Sequence, residues 1–103
     1  METPKIIWSP KAKKQYSEVL LFWAENNNNS VKYALLLNEK VENLLDSLKS
    51  FPKIGRVYAQ EEGIRRLIIL SHYSLYYRVL EEFSEIHILA FKDNRSNPED
   101  LVF

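Results

Sequence analysis

Gly63-Ile-Arg-Arg-Leu-Ile-Ile-Leu70, His72-Tyr-Ser-Leu-Tyr-Tyr-Arg-Val79 and Glu85-Ile-His-Ile-Leu-Ala-Phe91 are runs rich in β-branched and aromatic residues, each separated from the next by a few turn residues. Three such runs in succession predict a meander of antiparallel strands. Strict alternation assigns Leu75, Tyr77 and Val79 to one face of the middle strand and Ser74, Tyr76, Arg78 and Leu80 to the other. In the last strand Ile86, Ile88 and Ala90 then oppose His87, Leu89, Phe91 and Asp93. The smoother aliphatic sets are expected to meet the core, which leaves Tyr76, Arg78, His87 and Asp93 on an open face. Arg65 and Arg66 must point to opposite faces, and alternation does not say which one is open.

Upstream of the meander, Lys5-Ile-Ile-Trp8 reads as a first strand. Ser9-Pro10 is a helix-start signal, a serine N-cap followed by proline at the first helical position. Ala12, Tyr16, Val19, Leu20 and Trp23 then share one helical face, and Asn26-Asn-Asn-Asn29 ends that helix. With Ser30 as cap, a second helix carries the stripe Ala34, Leu37, Val41, Leu44 and Leu48, expected to pack on the core. A four-residue linker makes the pair an antiparallel hairpin. Pro52 and Gly55 in Phe51-Pro-Lys-Ile-Gly-Arg56 stop the second helix. Residues 57–62 are polar and irregular, with room for a short strand, and Asn97-Pro98-Glu99-Asp100 looks like the start of a last helical turn. The expected fold is one α+β domain over residues 1–103, ordered β-α-α-β-β-β. The helix hairpin packs on one face of a mostly antiparallel four-stranded sheet, and the first strand joins at an edge or in the middle.

Composition narrows the function. The chain has 103 residues, with 14 basic and 14 acidic side chains. That neutrality counts against a protein that grips nucleic acid generally by its phosphates, although it permits a local basic patch. No cysteine is present, so disulfides, thiolate catalysis and thiolate metal sites are excluded together. The opening Met-Glu-Thr-Pro-Lys lacks a leader pattern and no apolar run approaches membrane-spanning length, so a soluble cytoplasmic protein without membrane contact is expected. Two glycines leave no phosphate-cradling loop, and two histidines fifteen residues apart match no metal-ligand spacing. Neither cofactor nor metal is expected.

All five arginines, Arg56, Arg65, Arg66, Arg78 and Arg95, lie in the second half of the chain. The planar guanidinium fork suits carboxylates and phosphates better than lysine does, although arginines on a solvated face need no ligand to explain them. Cleavage of RNA at a 2′-hydroxyl needs a base, a cation and an acid, which His72 or His87, the arginines and a tyrosine could supply. A histidine on a strand or turn is more commonly a polar surface group. Tyr33, Tyr73, Tyr76, Tyr77, Phe83 and Phe91 suit bases or a protein partner, yet most aromatics in so small a domain belong to the core.

The chain resembles the RelE/ParE superfamily of toxins from bacterial type II toxin–antitoxin (plasmid stabilisation) modules. The likeness is carried by Trp8-Ser-Pro-Lys-Ala12, Phe51-Pro-Lys-Ile-Gly-Arg56, Gly63-Ile-Arg-Arg-Leu67, Tyr73-Ser-Leu-Tyr-Tyr-Arg-Val79 and Phe91-Lys-Asp-Asn-Arg-Ser-Asn-Pro-Glu99. It implies the element order above and a cognate antitoxin that wraps the toxin, with operator DNA reached only through that antitoxin. RelE-like members cut messenger RNA on the ribosome, whereas ParE-like members poison DNA gyrase. This chain departs from the ribonuclease pattern: Ser74 stands where an arginine follows the tyrosine opening the middle strand, and Lys92-Asp93 follows the last strand. No tyrosine or histidine comes after Phe91. The resemblance is therefore closer to ParE, implying a gyrase poison that is not an enzyme. The alternatives are a ribosome-dependent endoribonuclease using Arg65, Arg66, Arg78, His87 and Arg95, and a degenerate toxin without activity. The residues expected to meet the target or the antitoxin are Arg56, Arg65, Arg66, Tyr76, Arg78, His87, Asp93 and Arg95.

Overall fold

In a computed structural model, residues 3–25, 30–96 and 103 are described. The elements follow the expected order with one strand more: β1 (Lys5–Trp8), α1 (Pro10–Glu25), α2 (Ser30–Ser50), β2 (Arg56–Ala59), β3 (Ile64–Ile69), β4 (Tyr73–Leu80) and β5 (Glu85–Asp93). The Asn26–Asn29 linker and the helical turn expected at Asn97–Asp100 lie outside the described residues.

The sheet has five strands in the order β1-β5-β4-β3-β2, antiparallel except where β1 runs parallel to β5. β1 therefore sits at one edge. The additional strand, β2, forms the other edge in the segment expected to be irregular. A tight turn lets it pair back on β3: Gly63, at φ 68°, donates its amide to the Gln60 carbonyl over 3.1 Å. The β3–β4 turn has no glycine. Leu70 and Ser71 both take positive φ there, at 51° and 65°, the backbone that a right-twisted hairpin favours.

α1 begins as its sequence specifies, with the Ser9 hydroxyl accepting from the Ala12 amide at 3.0 Å. Trp23 meets Tyr33 at 4.4 Å between ring centres and Tyr16 donates to Asn38 at 2.8 Å, so the helices run antiparallel. Both cover the same face of the sheet. The core contains Ala12, Tyr16, Leu37, Val41, Leu45 and Leu48 from the helices against Tyr73, Leu75, Tyr77, Ile86, Ile88 and Phe91 from the strands. Each fully buried aliphatic side chain contributes about 2 kcal/mol. The deepest line on α2 is Leu37, Val41, Leu45 and Leu48, with Ala34 and Leu44 half-buried beside it. The expected stripe is thus rotated slightly, by a choice between two adjacent leucines.

One irregularity decides the faces of β5. Tyr77 pairs with Ile88 but Tyr76 pairs with Ala90, so Leu89 is an extra residue, a β-bulge. It is held by α1 and its cap: Ser9 donates its hydroxyl to the Leu89 carbonyl at 3.3 Å, and the Phe91 amide donates to Gln15 Oε1 at 3.0 Å. Beyond the bulge the alternation is inverted. Phe91 and Asp93 fall on the helix side, and Ala90 and Lys92 on the open side, which corrects the expected placement of Ala90, Phe91 and Asp93.

Candidate functional site

The eight residues expected at a binding site lie in three places. Five share the open face: Arg56 on β2, Arg66 on β3, Tyr76 and Arg78 on β4, and His87 on β5. Arg56 stands directly opposite Arg66, Arg66 opposite Tyr76, and Tyr76 opposite Ala90, forming one row across the sheet. A second row runs Ile64, Arg78, His87 and Ile7. Between them Ile64, Tyr76 and Ala90 make a small buried cluster of their own, with Ala59 and Leu89 packed against it.

Tyr76 is only 4% exposed although it lies on the face away from the helices. Tyr58 covers it at 4.9 Å and Phe103 at 5.2 Å between ring centres. Tyr58 reaches that position because it is itself the extra residue of a bulge: Val57 pairs with Arg65 and Ala59 with Ile64. Neither Tyr58 nor Phe103 was legible as part of the face. Their only signal in the sequence is aromatic character.

The polar groups around this cluster differ in freedom. Arg78 donates its Nε to the Glu62 carbonyl at 2.8 Å, tying the β2–β3 turn to β4. His87 Nε2 lies 2.9 Å from Glu85 Oε1 on the same face of β5. The Arg56 and Arg66 guanidiniums have no hydrogen bond or ion pair among the described residues. On the face as a whole, cations surround an apolar floor. That arrangement suits a partner offering carboxylates and aliphatic side chains.

Arg65 is placed elsewhere. It lies opposite Tyr77 on the helix-covered side, where its Nη1 donates to the carbonyls of Gly55 at 2.8 Å and Lys53 at 3.2 Å. The Tyr77 hydroxyl accepts from the Gly55 amide at 2.9 Å and donates to the Pro52 carbonyl at 2.8 Å. Burial pushes the Tyr77 phenol above its ordinary pKa, so the hydroxyl stays neutral and keeps its proton to donate. Arg65 and Tyr77 together fasten the connection from α2 to β2. Of the two adjacent arginines, Arg66 is the one on the open face.

Asp93 and Arg95 occupy a third place, the groove between α1 and the ends of β4 and β5. This groove of about 600 Å³ is floored by Val19, Trp23, Tyr73 and Phe91. Asp93 accepts from Arg95 through the backbone amide at 2.8 Å and through Nε and Nη2 at 2.9 Å each. Hydrogen bonding from the guanidinium holds the Asp93 carboxyl below its usual pKa. The same guanidinium lies 6.0 Å from the Tyr73 ring centre. Nearby, Trp23 Nε1 donates to the Tyr73 hydroxyl at 2.6 Å, while the buried Tyr33 hydroxyl has no hydrogen-bond partner among the described residues. Burial raises the Tyr33 phenol.

No three His, Asp or Glu side chains among the described residues converge as a metal site requires, and no described helix is long and apolar enough to cross a membrane. A helix hairpin on one face of a small, mostly antiparallel sheet, with a cationic and aromatic opposite face, defines an α+β domain. A family model described as the ParE toxin of the type II toxin–antitoxin system parDE matches residues 6–98, and the chain belongs to that family. No curated protein matches it. Among solved structures, a chromosomal ParDE system from P. aeruginosa has a chain 19% identical, with a TM-score of 0.65, covering 88% of this chain and 96% of that one. A YoeB/ParE toxin from Agrobacterium tumefaciens is 17% identical, with a TM-score of 0.63 and coverage of 87% and 98%. The toxin–antitoxin complex RelBE2 from Mycobacterium tuberculosis contains a chain 17% identical, with a TM-score of 0.59 and coverage of 89% and 99%. These likenesses concern the fold.

Proposed function

We propose that this toxin is a non-enzymatic poison of DNA gyrase, held inactive by a cognate antitoxin that also mediates any contact with operator DNA. The observation that carries the reading is the dispersal of the cationic set an endoribonuclease would use. Arg65 is bonded beneath the α2–β2 connection, Arg78 to the Glu62 carbonyl, and Arg95 to Asp93 in the α1 groove. Only Arg66, Arg78 and His87 share a face, and His87 is engaged by Glu85. Acid–base cleavage needs its groups converging on one phosphodiester, whereas a poison needs only a complementary surface. The match to the ParE family supports the same target class, and solved structures described as a ParDE system and as the toxin–antitoxin complex RelBE2 support an antitoxin partner.

A ribosome-dependent endoribonuclease is the second reading, favoured by the direct opposition of Arg78 and His87 across β4 and β5. Purified protein added to gyrase and supercoiled plasmid should inhibit supercoiling and accumulate cleaved DNA, while messenger RNA on translating ribosomes stays intact. Cleaved messenger RNA with unaffected gyrase would reverse the assignment. Absence of both activities in a folded protein would identify a degenerate toxin.

A further inference from the structure

α2 turns its buried line, Leu37, Val41, Leu45 and Leu48, onto the sheet. At about 100° per residue, the opposite side of the helix carries Lys32, Leu35, Leu36, Glu39 and Asn43, and all five are exposed. Lys32, Leu35, Leu36 and Glu39 follow the spacing i, i+3, i+4, i+7 of a packing stripe, on the side facing away from the domain. Leu35 and Leu36 are 66% and 41% exposed, and Val31, one turn before Leu35, is 51% exposed. Single exposed leucines are ordinary, but three large aliphatic side chains within two turns make an apolar patch on the outer surface. Lys32 and Glu39 frame the leucine pair symmetrically, one three residues before Leu35 and the other three after Leu36. Neither has a side-chain hydrogen bond or ion pair among the described residues.

We propose that this face docks against the same face of a second copy of the chain, the two α2 helices lying antiparallel about a twofold axis between Leu35 and Leu36. The leucines of both copies then meet at the axis, and each Lys32 lies opposite the partner's Glu39, so two ion pairs form at once. The charges also exclude the competing arrangements. A parallel pair would set Lys32 against the partner's Lys32 and Glu39 against the partner's Glu39. An antiparallel pair centred one turn away, on Lys32 or on Glu39, would likewise oppose like charges. A face whose charges complement themselves under a twofold rotation favours a second copy over an unrelated partner, whose charges need no such symmetry. Three helical turns per copy bury less than the roughly 800 Å² per partner of a standard interface, so the dimer dissociates in the micromolar range. The cationic face lies on the other side of the sheet from α2 and stays open in the dimer. The inference is therefore independent of the target and of the antitoxin.

The test is sedimentation equilibrium of the whole chain between about 5 and 500 µM, where a monomer–dimer equilibrium is expected. Lys32→Glu and Glu39→Lys should each weaken association about tenfold or more, because like charges then face each other across the axis. The double variant Lys32→Glu/Glu39→Lys should restore it to within about threefold, since the swap keeps the symmetry. Because the chain has no cysteine, a single introduced thiol reads the contact. Leu35→Cys should give a disulfide-linked dimer under mild oxidation. Asn43→Cys should not, because in the antiparallel pair the two copies of that position lie about 20 Å apart along the helices. A chain that stays monomeric at every concentration would overturn the inference. So would association that ignores both single reversals, or cross-linking through position 43 as readily as through position 35. A double variant that stays monomeric would overturn it too, and would assign the face to a partner other than a second copy.

Discussion

Arg65 and Arg66 are neighbours in the chain and belong to opposite sides of the sheet. The contrast between them is the contrast between the two faces. On the helix side the polar groups near the core, the Tyr33 hydroxyl excepted, are bonded within the fold: Arg65 and Tyr77 hold the carbonyls and amide of residues 52–55, and Tyr16 holds Asn38. On the open side Arg56 and Arg66 have no described partner, and Ile68 stands 55% exposed beside them. Buried polar groups without partners are costly, so the covered face satisfies nearly all of its own. The open face can leave groups unmatched because water matches them until a partner arrives. A residue type is thus a poor guide to role here, and the face it occupies is a better one.

The largest effect that could break this contrast is on the helix side. Leu45→Asp should abolish cooperative unfolding, because an unpaired carboxylate at a position 6% exposed costs several kcal/mol. Leu44→Asp, at the half-buried neighbour, should retain a cooperative transition at lower denaturant. Equal effects, measured by urea melts, would place the helix in a different rotation.

Gly55→Ala should be next in size. A Cβ there would lie 2.7 Å from both Cε1 and the hydroxyl oxygen of Tyr77, which is fully buried and bonded on both sides. A loss of about 2–3 kcal/mol is expected, the cost of overpacking a site that cannot shift. A loss below 0.5 kcal/mol would show that the α2–β2 connection yields easily.

The arginine pair sharpens the comparison directly. Arg65→Ala should cost about 1–2 kcal/mol of stability, since it removes charge-assisted bonds to two carbonyls. Arg66→Ala should change stability by less than about 0.5 kcal/mol but weaken toxicity in cells producing the protein. If toxicity followed Arg65 at unchanged stability, the functional surface would lie near the α2–β2 connection instead.

The smallest effect is a pH dependence. Arg95 depresses the folded-state pKa of Asp93, so the pair contributes stability that is present above the unfolded carboxyl value, about 3.9, and is lost as pH falls through the folded one. Asp93→Asn should therefore lower stability at neutral pH and converge with the parent protein as the solution is acidified. A difference that persisted unchanged in acid would mean that packing in the α1 groove, and not charge, supports the segment.

The placement errors have physical causes. Leu89, Ala90 and Phe91 are all apolar, so either phase of β5 reads equally well, and the bulge that chooses between them is held by Ser9 and Gln15 from outside the strand. β3 offers Ile64 and Ile68 on one face and Leu67 and Ile69 on the other, which left Arg65 and Arg66 unassigned until β4 and the helices were in place. Leu44 and Leu45 are alternatives at one helical step, and only docking on the sheet selects Leu45. β2 was missed as a defined strand because four residues, one of them bulged, carry no periodic pattern.

What the sequence determined by itself is what local chemistry controls. The serine cap and Pro10 start α1, helical spacing marks one buried side of each helix, Pro52 and Gly55 turn the chain after α2, and three β-rich runs form the meander. Those preferences act over a few residues and read directly along the chain. Tertiary structure alone decided which side each functional candidate faces: the bulge turned Asp93 to the helix side, and the β3–β4 pairing put Arg65 beneath a loop and Arg66 in the open. A side chain's face depends on the parity of its strand register. Contacts from elements distant in sequence set that parity, and a single inserted residue reverses it.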